Sequence, residues 1–249
     1  ILAASGSPAT RCYTPVNTVH FGTAGWPGAG LLSLRFSNQL ILLAIIALLP
    51  LLPAQADTWT FQVSDSSGNP VSDAVILLPG APASAPADIA VMDQIDKTFQ
   101  PHVLLIRQGQ RVNFPNSDHI RHHVYSFSPA KTFEIKLYAG VPEQPLLFDT
   151  AGIAVLGCNI HDSMVGYIVV ADTALAGKTD AQGQVTLEGI AATSFNDIRI
   201  WHPQLASGAT QLLTLPLPAA TADGIRPVTL ELKAAPAAGS GFGNRLRRH

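Results

Sequence analysis

Short apolar segments of strand length, separated by turn residues, occupy residues 89–170 of this chain. Val, Ile, Leu and aromatic residues recur there in short runs, and none of the runs sustains the 3.6-residue period of an amphipathic helix. Gly109 and residues 116–118 provide turn chemistry between the runs. Closely spaced strands joined in this way predict an all-β fold, with a Greek-key sandwich or barrel in this region.

The strands that this pattern predicts can be placed individually. They lie at residues 102–107, 111–114, 122–127, 132–138, 145–148, 153–156 and 167–170. Apolar residues make up 47% of the chain and charged residues 13%, so the strands can enclose a hydrophobic core. The formal net charge is −2 and the sequence has no basic stripe, which argues against a nucleic-acid partner.

Strands are also predicted on both sides of this region. They lie at residues 58–63, 71–78, 184–187, 198–201 and 228–232. Two strands alone cannot bury the apolar face of a sheet. We therefore expect the two strands before residue 79 to combine with the strands after residue 178. This predicts a small split sandwich at residues 57–85 plus 172–233, with a second domain at residues 86–171 inserted in it. In the alternative, the outer strands flank the middle domain in tandem order and add to its edges.

Two short motifs in the outer strands resemble the carboxypeptidase regulatory-like fold. Repeats of that fold often open with a Gly-x-Pro turn and an Ala-Val strand, and continue through Thr-Asp-x-x-Gly. Residues 69–75, Asn-Pro-Val-Ser-Asp-Ala-Val, and residues 179–183, Thr-Asp-Ala-Gln-Gly, match these two pieces. The resemblance implies a small β-sandwich around the middle domain. Residues 234–249 are small, Gly-rich and basic, and are expected to form a disordered tail.

The N-terminal part of the chain differs from the rest in composition. Residues 1–34 are rich in Gly, Pro, Ser and Thr and are interpreted as a non-native or upstream segment. Residues 35–56 combine Arg35, an apolar run at residues 40–52 and a terminal Ala-x-Ala site, which is the layout of a signal peptide. The run is shorter than the roughly 20 residues of a membrane span. We expect cleavage before Asp57 and a periplasmic protein without a stable membrane span; an uncleaved anchor is the alternative.

Cysteine usage singles out one position. The chain has two cysteines, and Cys12 lies ahead of the expected cleavage site, so the exported protein keeps only Cys158. A lone thiol cannot form an internal disulfide in an oxidising compartment and needs another form of protection. A bond to a metal ion provides it, whereas a buried apolar thiol is the alternative interpretation.

The stretch that Cys158 opens supports a metal site. Residues 158–164, Cys-Asn-Ile-His-Asp-Ser-Met, place a thiolate, an imidazole and a thioether at positions i, i+3 and i+6 between two predicted strands. Such a loop can direct Cys158, His161 and Met164 towards one point. A soft thiolate, two imidazoles and a weak thioether form the ligand set of blue-copper sites, whereas zinc favours a fourth strong ligand. The second imidazole must come from elsewhere, and the His122-His123 pair opens a predicted strand directly after a loop.

The order of these residues resembles the cupredoxin family, of the plastocyanin and amicyanin kind. The resemblance is carried by Phe99-x-Pro101, residues 109–114, Asn116, His122 and Cys158-x-x-His161-x-x-Met164. The segment Arg-His-His-Val-Tyr-Ser-Phe at residues 121–127 is also similar to exported proteins of the methylamine utilization type. The resemblance implies a cupredoxin Greek-key β-sandwich that holds one copper ion in a type 1 site.

Two positions depart from the cupredoxin pattern. His123 stands where these proteins usually have Asn after the first His ligand, and Gly157 stands where an aromatic residue often precedes the Cys. We favour His122 as the ligand, with His123 as the alternative, because His-His-Val then overlays the family's His-Asn-Val pattern. Gly157 bears on the colour and potential of the site rather than on copper binding.

The resemblance implies a one-electron carrier that is not an enzyme. Its partner is expected to be a redox protein of unknown identity, and the exposed edge of His161 is the expected electron exit. Two other functions stay open: a copper-binding or sensing module of the cell envelope, and a structural β-sandwich with a vestigial metal site. The sequence has no Met-rich or His-rich loop that favours the sensing module, and the intact ligand set argues against a vestigial site.

Overall fold

The structure is a computed structural model, and it describes residues 57–82, 84–142, 144–191 and 195–233. Within these residues the regular elements are all strands, so the prediction of an all-β fold is confirmed. The described part also contains no helix of the length and apolarity that a membrane span requires. The predicted upstream segment, signal peptide and C-terminal tail lie outside the described residues.

The strands are numbered here in chain order. They are β1 (Asp57–Asp65), β2 (Val75–Leu77), β3 (Ala90–Val91), β4 (Asp93–Ile95), β5 (Thr98–Gln100), β6 (Val103–Arg107), β7 (Gln110–Asn113), β8 (His122–Ser128), β9 (Lys131–Tyr138), β10 (Leu146–Phe148), β11 (Gly152–Gly157), β12 (Val165–Ala171), β13 (Ala176–Lys178), β14 (Gln184–Ile190), β15 (Asp197–Trp201), β16 (Leu213–Pro216) and β17 (Ile225–Leu230). All of the strands predicted between residues 102 and 170 are observed. The short strands β3 to β5, β13 and β16 were not predicted, because runs of two to four residues show no clear period.

The middle of the chain forms three sheets. A five-stranded sheet has the order β6-β12-β11-β8-β9, a three-stranded sheet has the order β10-β7-β3, and β4 pairs with β5. Many of their apolar side chains form a buried cluster that includes three phenylalanines, Phe99, Phe114 and Phe148. Others, such as Val103 and Val169, are buried together with residues of β1 and β2. Cys158 and Met164 belong to the cluster of the three phenylalanines. The predicted loop therefore places its two sulfur side chains in the core of this region.

Strands from both ends of the described chain combine in two further sheets. β1 lies between β14 and β17, and the other sheet has the order β13-β2-β15-β16. The strands before residue 79 therefore pair with strands after residue 175. The chain leaves and re-enters these sheets at neighbouring points, since the backbone N–H of Leu78 donates to the carbonyl of Leu175 at 2.9 Å. The domain limits at residues 85–86 and 171–172 stay a prediction.

Thr179 joins the two motifs that suggested the outer sandwich. Its buried hydroxyl accepts a hydrogen bond from the backbone N–H of Ala74 at 2.9 Å and donates one to the carbonyl of Val71 at 2.7 Å. Gly183 ends the second motif with φ at 73°, and a Cβ there would collide with the carbonyl oxygen of Val63. Thr179 thus connects the second motif to the first, and Gly183 allows the second motif to lie close to β1.

Candidate metal centre

The predicted ligands lie where β8 begins and where β11 ends. His122 is the first residue of β8, and Cys158 directly follows β11. β11 pairs with β12 along its whole length and reaches β8 through the pair Gly157 and Tyr125. Because the three strands are neighbours, His122 lies beside the loop that Cys158 opens, although 36 positions separate the two residues.

Three donor groups converge at this point. The candidate ligand atoms of His122, Cys158 and His161 all lie within 4.8 Å of one another. The Cys158 Sγ atom is 3.7 Å from His122 Nδ1 and 3.9 Å from His161 Nδ1. His122 is 0% exposed and Cys158 is 3% exposed, whereas His161 is half-buried. In the part of the chain that the structure describes, no second group of this kind occurs.

The spacing of these atoms fits a single bound metal ion. Bonds of about 2.1 Å to nitrogen and about 2.3 Å to sulfur that meet at 120° separate the two donor atoms by about 3.8 Å. The two sulfur–nitrogen distances lie on either side of that value. One thiolate and two imidazoles form a soft donor set suited to copper. The residues present therefore fit the metal that the sequence predicts.

Met164 is brought close to the site by the fold of the loop. Its backbone N–H donates to the carbonyl of His161 at 2.9 Å, which closes the turn at the end of the ligand loop. Its side chain is buried in the same cluster as Cys158. The role of the Met164 thioether as a weak fourth ligand stays a prediction.

The two histidines of the pair have different surroundings. His122 is the member that lies in the cluster with Cys158. His123 instead contacts Glu134 on β9, with 3.0 Å between its Nε2 atom and the carboxylate Oε1 atom. Adjacent residues of a strand point to opposite faces of the sheet, so the side chains of His122 and His123 leave β8 on different sides.

A cross-strand contact explains the glycine that precedes Cys158. A Cβ atom at Gly157 would lie 2.7 Å from Cζ and 2.8 Å from the hydroxyl oxygen of Tyr125. The ring of Tyr125 on the paired strand β8 therefore occupies the space that a side chain at this position needs. An aromatic residue before the Cys, as the family pattern has it, is sterically excluded while Tyr125 keeps this position.

One residue of the site was not identified from the sequence. The Nε2 atom of His122 lies 2.6 Å from Oδ2 of Asp118, four positions earlier. Asp118 also accepts hydrogen bonds from the backbone N–H groups of Asp96 at 2.7 Å and Lys97 at 2.9 Å. Burial raises the pKa of the Asp118 carboxyl, but the hydrogen bonds from Lys97, His122 and Asp96 outweigh it, and the net pKa is below the ordinary value. The only sequence signal is an acidic residue one short loop ahead of the predicted ligand.

A buried polar contact lies beside the site. The hydroxyl of Tyr138 donates to the carbonyl of Phe114 at 2.7 Å and accepts a hydrogen bond from the amide of Gln94. Burial, with the nearby acidic groups of Asp93 and Cys158, raises the pKa of Tyr138 to about 12 although the bond from Gln94 lowers it. Tyr138 therefore stays neutral at physiological pH and provides a fixed hydrogen-bonding group at the end of β9.

Comparisons with known proteins find similarity over part of the chain. A scan against models of protein families gives no match, and a search of curated proteins finds no relative. Among solved structures, the copper-containing nitrite reductase NirK from Thermus scotoductus SA-01 is similar at 24% identity and a TM-score of 0.32. The similarity covers 38% of this chain and 27% of the nitrite reductase, so this chain spans about a quarter of that protein.

Two smaller proteins are similar over nearly their whole length. A mutant of amicyanin in its reduced Cu(I) form is 25% identical, with 39% of this chain and 98% of that chain covered and a TM-score of 0.29. A purple cupredoxin from Nitrosopumilus maritimus is 19% identical, with 33% of this chain and 98% of that chain covered and a TM-score of 0.29. The similarity to the methylamine utilization type and to the carboxypeptidase regulatory-like fold stays a prediction.

Proposed function

We propose that this chain is a copper protein of the cupredoxin kind. Cys158 would hold one copper ion through its thiolate, and His122 and His161 would hold it through their Nδ1 atoms. Met164 would be a weak fourth ligand. The observation that carries the proposal is the convergence of one thiolate and two imidazole Nδ1 atoms at distances that suit a common metal.

Within that class, we propose a type 1 site that serves a one-electron carrier rather than an enzyme. Copper, when bound, would accept and release one electron by changing between copper(II) and copper(I). The chain's own residues hold the donor atoms in place, since His122 is anchored in β8 and Cys158 lies in the core. The half-buried His161 and the neighbouring Ile160, which is 48% exposed, offer a contact surface for a redox protein partner of unknown identity.

Copper titration followed by voltammetry tests the proposal. Protein purified after expression of the full chain should develop strong visible absorption when copper(II) is added, because a thiolate bound to copper(II) gives an intense charge-transfer band. It should also show a reversible one-electron wave. A band without a reversible wave would favour a copper-binding or sensing module. Preferential binding of zinc, with no redox wave, would overturn the electron-carrier function.

Replacement of Met164 by leucine should raise the reduction potential of the site. Leucine keeps a similar apolar volume, so we expect the protein to lose less than about 1.5 kcal/mol of stability. The potential rises because copper(II) loses a donor. The thiolate and both imidazoles remain, so the Met164→Leu protein should still bind copper and keep its visible band. Voltammetry of both proteins measures the change. An unchanged potential would show that Met164 is not a ligand.

We also propose that the protein is exported to the periplasm. The support comes from the sequence, in which Arg35, the apolar run at residues 40–52 and the Ala-x-Ala site have the order of a signal peptide. Mass spectrometry of the periplasmic fraction should find a mature chain that begins at Asp57. Recovery of the intact chain in the membrane fraction would instead indicate an uncleaved anchor.

A further inference from the structure

We propose that Asp118 is a positioning residue that fixes the imidazole of His122 for metal binding and lowers the reduction potential of the site. This inference rests on the copper site proposed above. The observation behind it is the 2.6 Å contact between Asp118 Oδ2 and His122 Nε2, on the side of the ring opposite the Nδ1 atom that faces Cys158.

The contact determines which nitrogen of the ring is free to bind a metal. A carboxylate that already accepts two backbone N–H groups offers only acceptor atoms, so His122 must donate through Nε2. In the neutral imidazole the lone pair is then on Nδ1, the atom that lies 3.7 Å from Cys158 Sγ. Asp118 therefore selects the tautomer that the site requires, as carboxylates commonly do for histidine ligands.

The position of Asp118 is itself fixed by the neighbouring hairpin. Asp96 and Lys97 form the two-residue turn between β4 and β5, with φ angles of 52° and 59°. This left-handed conformation is unfavourable for residues other than glycine. It directs both backbone N–H groups at the Asp118 carboxylate. The carboxylate is thereby held from one side by the turn and contacts the ligand on the other.

A negative charge in this place also has an electrostatic effect. The oxidised site carries one more positive charge than the reduced site, and a carboxylate bonded to a ligand ring favours the more positive form. The side chain of Asp118 is only 11% exposed, so water screens this interaction less than it would at the surface. Loss of the charge should shift the balance towards the reduced form.

The test compares matched neutral variants of two nearby carboxylates. Asp118→Asn keeps the shape of the side chain and removes its charge. Asp93→Asn is the control. Asp93 accepts a hydrogen bond from the hydroxyl of Ser117, next to Asp118, but it does not contact a metal ligand. We expect Asp118→Asn to weaken binding of copper(II) relative to copper(I) about tenfold, which raises the potential by about 59 mV for one electron, and the control to change it much less.

A second measurement on the metal-free protein separates positioning from a merely structural role. Nitrogen NMR of the imidazole of His122 should show a proton on Nε2 in the wild type and in Asp93→Ala, and a mixture of tautomers in Asp118→Ala. If Asp118→Asn and its control have equal potentials and Asp118→Ala keeps the wild-type tautomer, the inference is wrong and the copper site stands. If the wild type shows no copper–thiolate band, the proposed function fails, and the NMR result alone decides whether Asp118 fixes the ring.

Discussion

Replacement of Cys158 by serine should abolish the visible copper band completely. The band requires a thiolate bound to copper(II), and a serine hydroxyl is a hard, weakly acidic donor that cannot replace it. Cys158 is the single thiol among the described residues, and its Sγ atom lies 3.7 Å from Nδ1 of His122 and 3.9 Å from Nδ1 of His161. Visible absorption during copper titration measures the effect, and voltammetry should find no reversible wave at the potential of the wild type.

Folding of the variant must be checked separately, because Cys158 belongs to the core. A buried hydroxyl without a partner costs about 1–3 kcal/mol, so Cys158→Ser should be less stable but still folded. Cys158→Ala avoids the polar group and is the matched control. Both should show the strand-rich circular dichroism of the wild type. A visible band that persists in either folded variant would contradict the proposed site.

Replacement of His122 by alanine should also eliminate the band, whereas the same change at His123 should leave it in place. His122 is fully buried and supplies one of the two imidazole nitrogens beside Cys158. His123 contacts the half-exposed carboxylate of Glu134 and lies outside the cluster. The two substitutions remove the same side chain from adjacent positions of one strand, so their comparison isolates the ligand role.

Copper affinity and absorption of the two variants decide the assignment. His122→Ala should bind copper at least about tenfold more weakly than the wild type and lack the band, because it removes a ligand and not only a supporting residue. His123→Ala should differ only by a small shift of the band. The opposite result would move the ligand by one residue. Equal loss in both variants would indicate that the start of β8 has a purely structural role.

The sequence predicts those parts of the molecule in which residue type and spacing carry the information. The loop at residues 158–164 contains its donors at a fixed spacing between two apolar strands, so it was identified without the structure. The longer strands show runs of apolar residues or an alternation of apolar and polar residues, and both patterns predict a strand. The pairing partners of β1 were expected because an isolated pair of strands cannot bury a face.

Other parts depend on contacts between segments that are distant in sequence. The choice between His122 and His123 depends on which face of β8 meets the ligand loop, and therefore on the pairing of β8 with β11. The requirement for glycine at position 157 comes from the ring of Tyr125 on the neighbouring strand. Asp118 appears in the sequence as an ordinary loop residue, and its role emerges only where the β4–β5 turn and His122 meet its carboxylate. Residue order alone contains none of these three relations.

The hydrogen bond between Leu78 and Leu175 has a consequence for how such a protein can change during evolution. The chain leaves the outer sheet at the end of β2 and, after the strands β3 to β12, returns to it at the start of β13. These two points are adjacent, because β2 and β13 are paired at Leu77 and Ala176. A short loop can span that gap. The path of the chain therefore allows the intervening unit to be exchanged for another while the pairing of β2 with β13 remains the same. An exchanged unit must still present an apolar face to the outer sheets, because Val103 and Val169 are buried in one cluster with Trp201.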